Sequence, residues 1–146
     1  MDVKILRLSG DYLEARLGGC SEALVNAIRR AILEEVPTLA IHEVFIFENS
    51  SPMFDEVLSN RLGLIPLRTP PGKYLPMDSQ ECLQGSSERC FTSLSIDVSA
   101  GDSPLTVYSK HLVCRDEGVY PVYGNIPITK LPPGGKLRLE AIARLG

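Results

Sequence analysis

The sequence predicts an α+β fold with its helices confined to the first 65 residues and a mostly antiparallel β remainder. Three observations carry this. Ser21 to Pro37 has helical apolar spacing between a cap and a proline stop, Ser51 to Gly63 repeats the pattern in a shorter stretch, and everything beyond Arg89 alternates and turns.

Val3 to Leu8 and Tyr12 to Leu17 are short apolar runs separated by Ser9, Gly10 and Asp11, which predicts a β-hairpin. The hairpin leads into the first helix. Ser21 is a good N-cap, because its hydroxyl can accept from an otherwise orphaned amide, and Glu22 sits where the helix dipole favours an anion. Pro37 ends the helix, and Val36 before it is pushed towards extended geometry, which leaves about 15 residues or roughly 22 Å. Leu24, Val25, Ala27, Ile28, Ala31 and Ile32 fall in one broad arc that is expected to be buried. Asn26, Arg29, Arg30 and Leu33 occupy the opposite side, with Glu34 within reach of Arg30. On spacing alone, the paired arginines read either as a solvated face or as a surface for a partner's carboxylates, with Leu33 as an apolar anchor.

Thr38 to Glu48 is β-branched and aromatic. Val44 and Ile46 face one way, Phe45 and Phe47 the other, so both faces of this strand are expected to be covered. Ser51 is the expected cap of the second helix and Pro52 its first residue; Phe54, Val57, Leu58 and Leu62 follow helical spacing until Gly63 stops it. Asp55 and Glu56 near its start and Arg61 near its end suit the dipole. Leu64 to Leu67 contains Pro66 and is placed as an edge or packed extended segment. Thr69 to Arg89, rich in proline, glycine and serine, is expected to be a long surface loop of about 20 residues. Leu94, Ile96 and Val98 then alternate with polar residues, Leu105 to Tyr108 extends again, Tyr120 to Thr129 carries two prolines, and Leu137, Leu139, Ala141 and Ala143 share a face of the last strand. No internal repeat is visible.

The 146 residues are 44% hydrophobic and 23% charged, an ordinary globular composition. A net charge of −3 and a pI near 5.4 argue against direct, charge-driven binding to nucleic acid. Action on DNA or RNA would therefore run through partners. No apolar run reaches the roughly 20 residues of a membrane span, and the charged, alternating N-terminus does not resemble a targeting peptide. A cytoplasmic location without membrane contact is expected.

Cys20, Cys82, Cys90 and Cys114 are 62, 8 and 24 positions apart, with only His42 and His111 to help them. Structural zinc sites take ligands in close pairs, so free, buried or half-buried thiols are expected in place of a metal centre. No nucleophile elbow, phosphate loop, dinucleotide fingerprint or zincin motif is present. His42 lies mid-strand beside Glu43, on the opposite face. Asp55 and Glu56 are adjacent on a helix and do not face each other. Arg89 could lower the pKa of Cys90, but nothing near it completes a triad. No intrinsic enzyme activity and no catalytic residue are expected.

The stretch from Ser21 to Leu67 closely resembles the signature region of the α-like subunits of DNA-directed RNA polymerases: the bacterial α subunit, the archaeal D-type subunit and the third-largest subunit of eukaryotic polymerase II. The matching residues are Asn26, Ala27, Arg29 and Arg30; Glu35, Val36, Pro37, Thr38, Ala40 and Ile41; Asn49, Ser51, Asp55 and Glu56; and Arg61 to Leu67. Asn125 to Ile128, Lys130, Leu131 and Leu139 to Gly146 are similar to the archaeal version. The resemblance therefore spans essentially the whole chain.

It implies a non-catalytic assembly subunit. Members of the family pair with a smaller α-like partner, subunit L in archaea, through the first helix and its hairpin. That heterodimer is the platform for the large catalytic subunits and small zinc-binding subunits, and DNA is met only through the complex. Leu24, Ile28, Ala31 and Ile32 would lie in the dimer interface, and Asn26, Arg29, Arg30 and Leu33 would dock a large subunit. The implied organisation is residues 1–37 as the first part of an α-like dimerisation domain, a hairpin plus a helix, and residues 38–146 as a mostly antiparallel β insert domain with one short helix. The family's chain then returns to complete the dimerisation domain, so a fragment or a truncated chain lacking that segment is the expectation. Eukaryotic members carry four zinc-binding cysteines in the region of the Thr69 to Arg89 loop; here Cys90 matches the last, Cys82 is out of register and the others are absent. Position 60 is Asn where relatives often have His. No zinc is expected, and the iron–sulfur domain that some archaeal members carry lies outside these residues. Two readings from other classes stand beside this one: a stand-alone α+β ligand-binding or regulatory domain, and a thiol- or metal-dependent enzyme.

Overall fold

Gly10 and Asp11 are the first point at which the chain reverses. In the computed structural model, which describes residues 1–85 and 88–146, they join β1 (Asp2–Ser9) to β2 (Tyr12–Gly18). Ser9 pairs with Tyr12, and Gly10 takes a φ of +53°, which a two-residue hairpin loop with glycine first requires. Helix α1 (Glu22–Glu34) follows, and the Ser21 hydroxyl accepts from the Leu24 amide at 3.3 Å as its cap chemistry predicts. These elements belong to one unit, Met1–Val36, and the rest of the chain to a second, Pro37–Gly146.

The second unit is built on a four-stranded antiparallel sheet in the order β3 (Leu39–Asn49), β8 (Lys136–Leu145), β4 (Phe91–Ser99), β6 (Val113–Cys114). A two-stranded sheet of β5 (Leu105–Tyr108) and β7 (Pro127–Leu131) completes it. The α+β class and the antiparallel pairing are those the sequence predicts. Strand β8 is central because its alternation is cleanest: Leu137, Leu139, Ala141 and Ala143 are all buried. Leu139 lies opposite Ile46 on one side and Ile96 on the other, so three aliphatic side chains meet across three strands. Leu58 and Leu62 of α2 (Asp55–Gly63) pack into the same core, with Ile65, Leu67, Val107, Ile128 and Leu131. Burial of each large aliphatic is worth about 1.5–3 kcal/mol.

Several expectations are corrected. Phe45 and Phe47 are 50% and 61% exposed, so the second face of β3 is not covered. That face is instead a charged one: Arg144 meets Glu43 at 2.6 Å, and the Arg138 guanidinium lies 5.7 Å from the Phe47 ring centre. Helix α2 begins at Asp55 rather than Pro52. The Asn49 side-chain amide donates to the Met53 carbonyl at 2.9 Å and to Asp55 Oδ1 at 2.7 Å, and the Ser51 hydroxyl donates to Asn49 Oδ1. Ser51 and Asn49 thus hold a turn ahead of the helix, and Phe54, extended and exposed, is the residue at its cap. Val57 is exposed with it, and only Leu58 and Leu62 form the buried stripe. Gly63 is the last helical residue and serves close packing, because a Cβ there would lie 3.3 Å from the Ile41 carbonyl oxygen.

Nor are helices confined to the first 65 residues. Inside the expected loop lies a one-turn helix, α3 (Gln80–Leu83), and a 3-10 turn at Ser109–His111 follows β5. Ser86 and Ser87 of that loop lie outside the described residues. Cys82 and Cys90 are joined as a disulfide, against the expectation of four free thiols; Cys20 and Cys114 are free and half-buried. Cys90 is therefore not a thiolate whose pKa Arg89 could lower.

Candidate functional site: the uncovered faces of the N-terminal unit

On α1, at about 100° per residue, Leu24, Val25, Ala27, Ile28, Ala31 and Ile32 span an arc of about 160°. The sequence predicts that this arc is buried. Within this chain no residue of α1 is buried: Ile28 is 37% exposed, Ile32 64%, and Leu24 and Val25 lie between them. The physical reason is size, since a hairpin and a single helix cannot enclose a core of their own. On the opposite side Asn26, Arg29 and Arg30 are exposed, and Leu33 among them is 70% exposed. Among the described residues the ion pairs are Lys73 with Asp116 and Arg144 with Glu43, so Arg30 does not pair with Glu34.

The hairpin adds a face that the sequence reading missed. Val3, Ile5 and Leu8 of β1 lie opposite Leu17, Ala15 and Leu13 of β2. Positions 13, 15 and 17 share one face by the strand period of two. Positions 3 and 5 share it as well, but position 8 does so only because the register shifts between Ile5 and Arg7. The irregularity therefore gathers six apolar side chains on one face. The other face pairs Lys4 with Arg16 and Arg7 with Glu14, and the Arg7 guanidinium stands 5.0 Å from the Tyr12 ring centre. Val3, Ile5, Leu8 and Leu13 are all exposed. The signal was present in the sequence as an alternation that slips by one residue at Leu6, which a strict period-two reading does not follow.

The second unit holds a cleft of about 640 Å³ lined by residues of the expected long loop, of β4 and of the segment after β6. At its base Tyr74 donates to Asp116 Oδ2 at 2.5 Å, and Lys73 Nζ lies 2.7 Å from the same oxygen. The Lys73 ammonium, the Tyr74 hydroxyl and the Gly118 amide hold the Asp116 carboxyl down at about 2. Burial, then the bond to Asp116, pushes Tyr74 up to about 12. Both shifts favour the charge states of a structural bridge: an anionic carboxylate accepting from a neutral phenol. Neither group is set to exchange a proton near neutrality. Among the described residues no three His, Cys, Asp or Glu side chains converge as a metal site, and no helix is long and apolar enough to cross a membrane. His42 is exposed, and His111 Nδ1 lies 3.0 Å from the Tyr108 amide, closing the 3-10 turn.

No family model matches the chain. Individual relatives do. Over 144 residues, 99% of this chain and 55% of the relative, it is 40% identical to DNA-directed RNA polymerase subunit Rpo3 of Pyrobaculum neutrophilum. It is 44% identical to the protein of the same name from Methanosarcina acetivorans over 147 residues, 100% of this chain and 54% of the relative. The Methanosphaera stadtmanae protein of that name is likewise 44% identical, over 148 residues and 54% of its length. The chain thus spans about half the length of the curated relatives it matches.

Proposed function

We propose that this chain acts as part of a non-catalytic assembly subunit of DNA-directed RNA polymerase. The observation that carries the reading is the N-terminal unit's uncovered apolar surface, the α1 arc together with the hairpin face, in a chain 40% and 44% identical to polymerase subunits. Apolar area of this kind in water is unfavourable unless a partner covers it. The partner proposed is a small α-like subunit that sets its own helix and hairpin against Leu24, Ile28, Ala31 and Ile32.

Asn26, Arg29, Arg30 and Leu33 then point away from that seam towards a large subunit, with the arginine forks suited to its carboxylates. Small zinc-binding subunits join the same platform, DNA is reached only through the complex, and the work is done in the cytoplasm. In this proposal residues 1–37 belong to the dimerisation domain and residues 38–146 to the insert. The subunit itself supplies no catalytic group and needs no cofactor. Each large aliphatic covered at the seam adds about 1.5–3 kcal/mol, so the seam dominates affinity and the arginines direct what docks next.

The test is co-expression with a small α-like polymerase subunit. A stable 1:1 complex is expected, and Ile28→Glu with Ile32→Glu is expected to abolish it while circular dichroism of the chain alone stays unchanged. Failure of the unsubstituted chain to form any complex overturns the proposal.

A further inference from the structure

We propose that Cys82 and Cys90 are a reversible thiol–disulfide exchange site, acted on by small dithiols and disulfides, that fixes or frees one wall of the adjacent cleft. Cys82 lies on α3 and Cys90 immediately before β4. Among the described residues, the hydrogen bonds of α3 are local: Cys82 N to Ser79 Oγ, Leu83 N to Ser79 O, Gln84 N to Gln80 O and Gly85 N to Cys82 O. A single turn of helix does not persist on such bonds by itself. Among the described residues, the covalent link and the buried Cys82 side chain tie it to the segment that enters β4.

The segment that the link closes also carries the cleft wall. Glu88 and Arg89 line the cleft together with Lys73, Tyr74, Phe91 and Asp116. Arg89 donates from its guanidinium to the carbonyls of Gly72 and Lys73, each at 3.0 Å, and its own carbonyl accepts from the Leu75 amide at 2.9 Å. Arg89 is therefore the clasp between the closed loop and the strip bearing Lys73 and Tyr74, and the disulfide one residue later anchors that clasp to β4. Both cysteines are buried, but Cys82 sits on a single turn of helix, and Leu83, Gln84, Gly85 and Glu88 between the two are exposed. Local opening of that turn is enough to admit a small thiolate.

In the reducing direction, one thiolate of a small dithiol attacks Sγ of Cys82 or Cys90. The protein S–S bond breaks and a mixed disulfide forms. The reagent's second thiolate then displaces the remaining cysteine, giving two cysteine thiols and a cyclic disulfide, with two electrons and two protons passed to the protein. A small disulfide reverses the sequence.

The experiment uses the full chain equilibrated with oxidised or reduced dithiothreitol without denaturant. It is read by alkylation with mass analysis and by the rate of tryptic cleavage after Arg89, with fragments reduced after quenching. In the oxidised state Cys20 and Cys114 are expected to be alkylated on subsequent unfolding, and Cys82 and Cys90 to be protected. In the reduced state all four react, and cleavage after Arg89 is about tenfold faster or more. Cys82→Ser with Cys90→Ser cleaves at the fast rate with or without reductant, whereas Cys20→Ser with Cys114→Ser keeps the redox dependence. Full alkylation of Cys82 and Cys90 in the oxidised state overturns the proposal. So does resistance of the bond to dithiothreitol without denaturant, or a cleavage rate that ignores reduction.

Discussion

The Tyr74 hydroxyl and Asp116 Oδ2, 42 positions apart in sequence, share a hydrogen bond of 2.5 Å that joins the proline-rich loop to the segment after β6. Lys73 meets the same oxygen, and the Gly118 amide donates to the other at 3.0 Å. One carboxylate therefore gathers three donors from two loops.

This bridge makes stability depend on pH at both extremes. Asp116 is held at about 2 in the folded chain, against roughly 3.9 unfolded, so below about pH 4 the unfolded state takes up the proton first. The stabilisation is complete above that pH and is lost as pH falls towards 2. Tyr74, raised to about 12, works in the opposite sense: its contribution is complete below about pH 10 and fades as pH rises towards 12. Urea midpoints measured from pH 2 to 7 should rise with pH over the acid window, and Asp116→Asn should flatten that rise. An unchanged slope in the variant would show that other carboxylates govern it.

The centre of the sheet offers the largest single loss. Leu139 is buried between Ile46 and Ile96 on the middle strand, with strands on both sides to prevent collapse into the space it would leave. Leu139→Ala should cost about 2–5 kcal/mol, read as a lowered urea midpoint at unchanged slope. Ile142→Ala on the opposite, partly exposed face should cost well under half of that.

How far these elements could be read in advance depended on where their determinants sit. The Ser21 cap, the hairpin and the alternation of Leu137, Leu139, Ala141 and Ala143 are local, and the structure shows them where the residues place them. The start of α2 was misplaced because Ser51 and Pro52 form a sound local start signal, yet the Asn49 side chain recruits Ser51 into a turn instead. Phe45 and Phe47 read as buried because apolar character on both sides of a strand usually means two covers. Arg138 and Arg144, some 90 positions away on β8, make that face a charged one. The disulfide was illegible for a similar reason: a spacing of 8 fits many conformations, and the bond joins Cys82 on α3 to Cys90 ahead of β4. Of the candidate site, the period of α1 sorts its residues into two sides but does not say what covers either, since none of them is buried within the chain, and the hairpin face was hidden by the slip at Leu6.

The disulfide should also count in equilibrium stability. Closing a loop of this length restricts the unfolded chain by about 2.5 kcal/mol in the chain-entropy model. Cys82→Ser with Cys90→Ser should lower the unfolding free energy by about that amount under oxidising conditions, and reduction should bring the unsubstituted chain to nearly the same value. A difference of several kcal/mol between the reduced chain and the double variant would show that the serines disturb the packing by themselves.

The hairpin separates face from charge within adjacent residues. Ile5 belongs to the six-residue apolar face and Lys4 to the charged one, where it pairs with Arg16. If the apolar face is a seam, Ile5→Lys should weaken the complex with a small α-like subunit by about 2 kcal/mol or more, roughly thirtyfold. Lys4→Glu should change affinity little and mainly alter its salt dependence. Equal losses from both substitutions would place neither face at the seam.

The arginine side of α1 makes a different prediction because it lies opposite the apolar arc. Arg29→Ala with Arg30→Ala removes two exposed guanidinium groups that form no ion pair among the described residues, so the fold and the heterodimer should be unaffected. Recruitment of a large polymerase subunit to the preformed heterodimer should weaken, by about 2–5 kcal/mol where the arginines meet buried carboxylates of that partner and by less at a wet rim. Arg29→Lys with Arg30→Lys keeps the charge and loses the planar fork, so it should recover the salt-dependent part of the loss and not the rest. Loss of the heterodimer itself in the alanine variant would reverse the assignment of the two sides, because guanidinium groups pointing away from a seam cannot be needed to hold it.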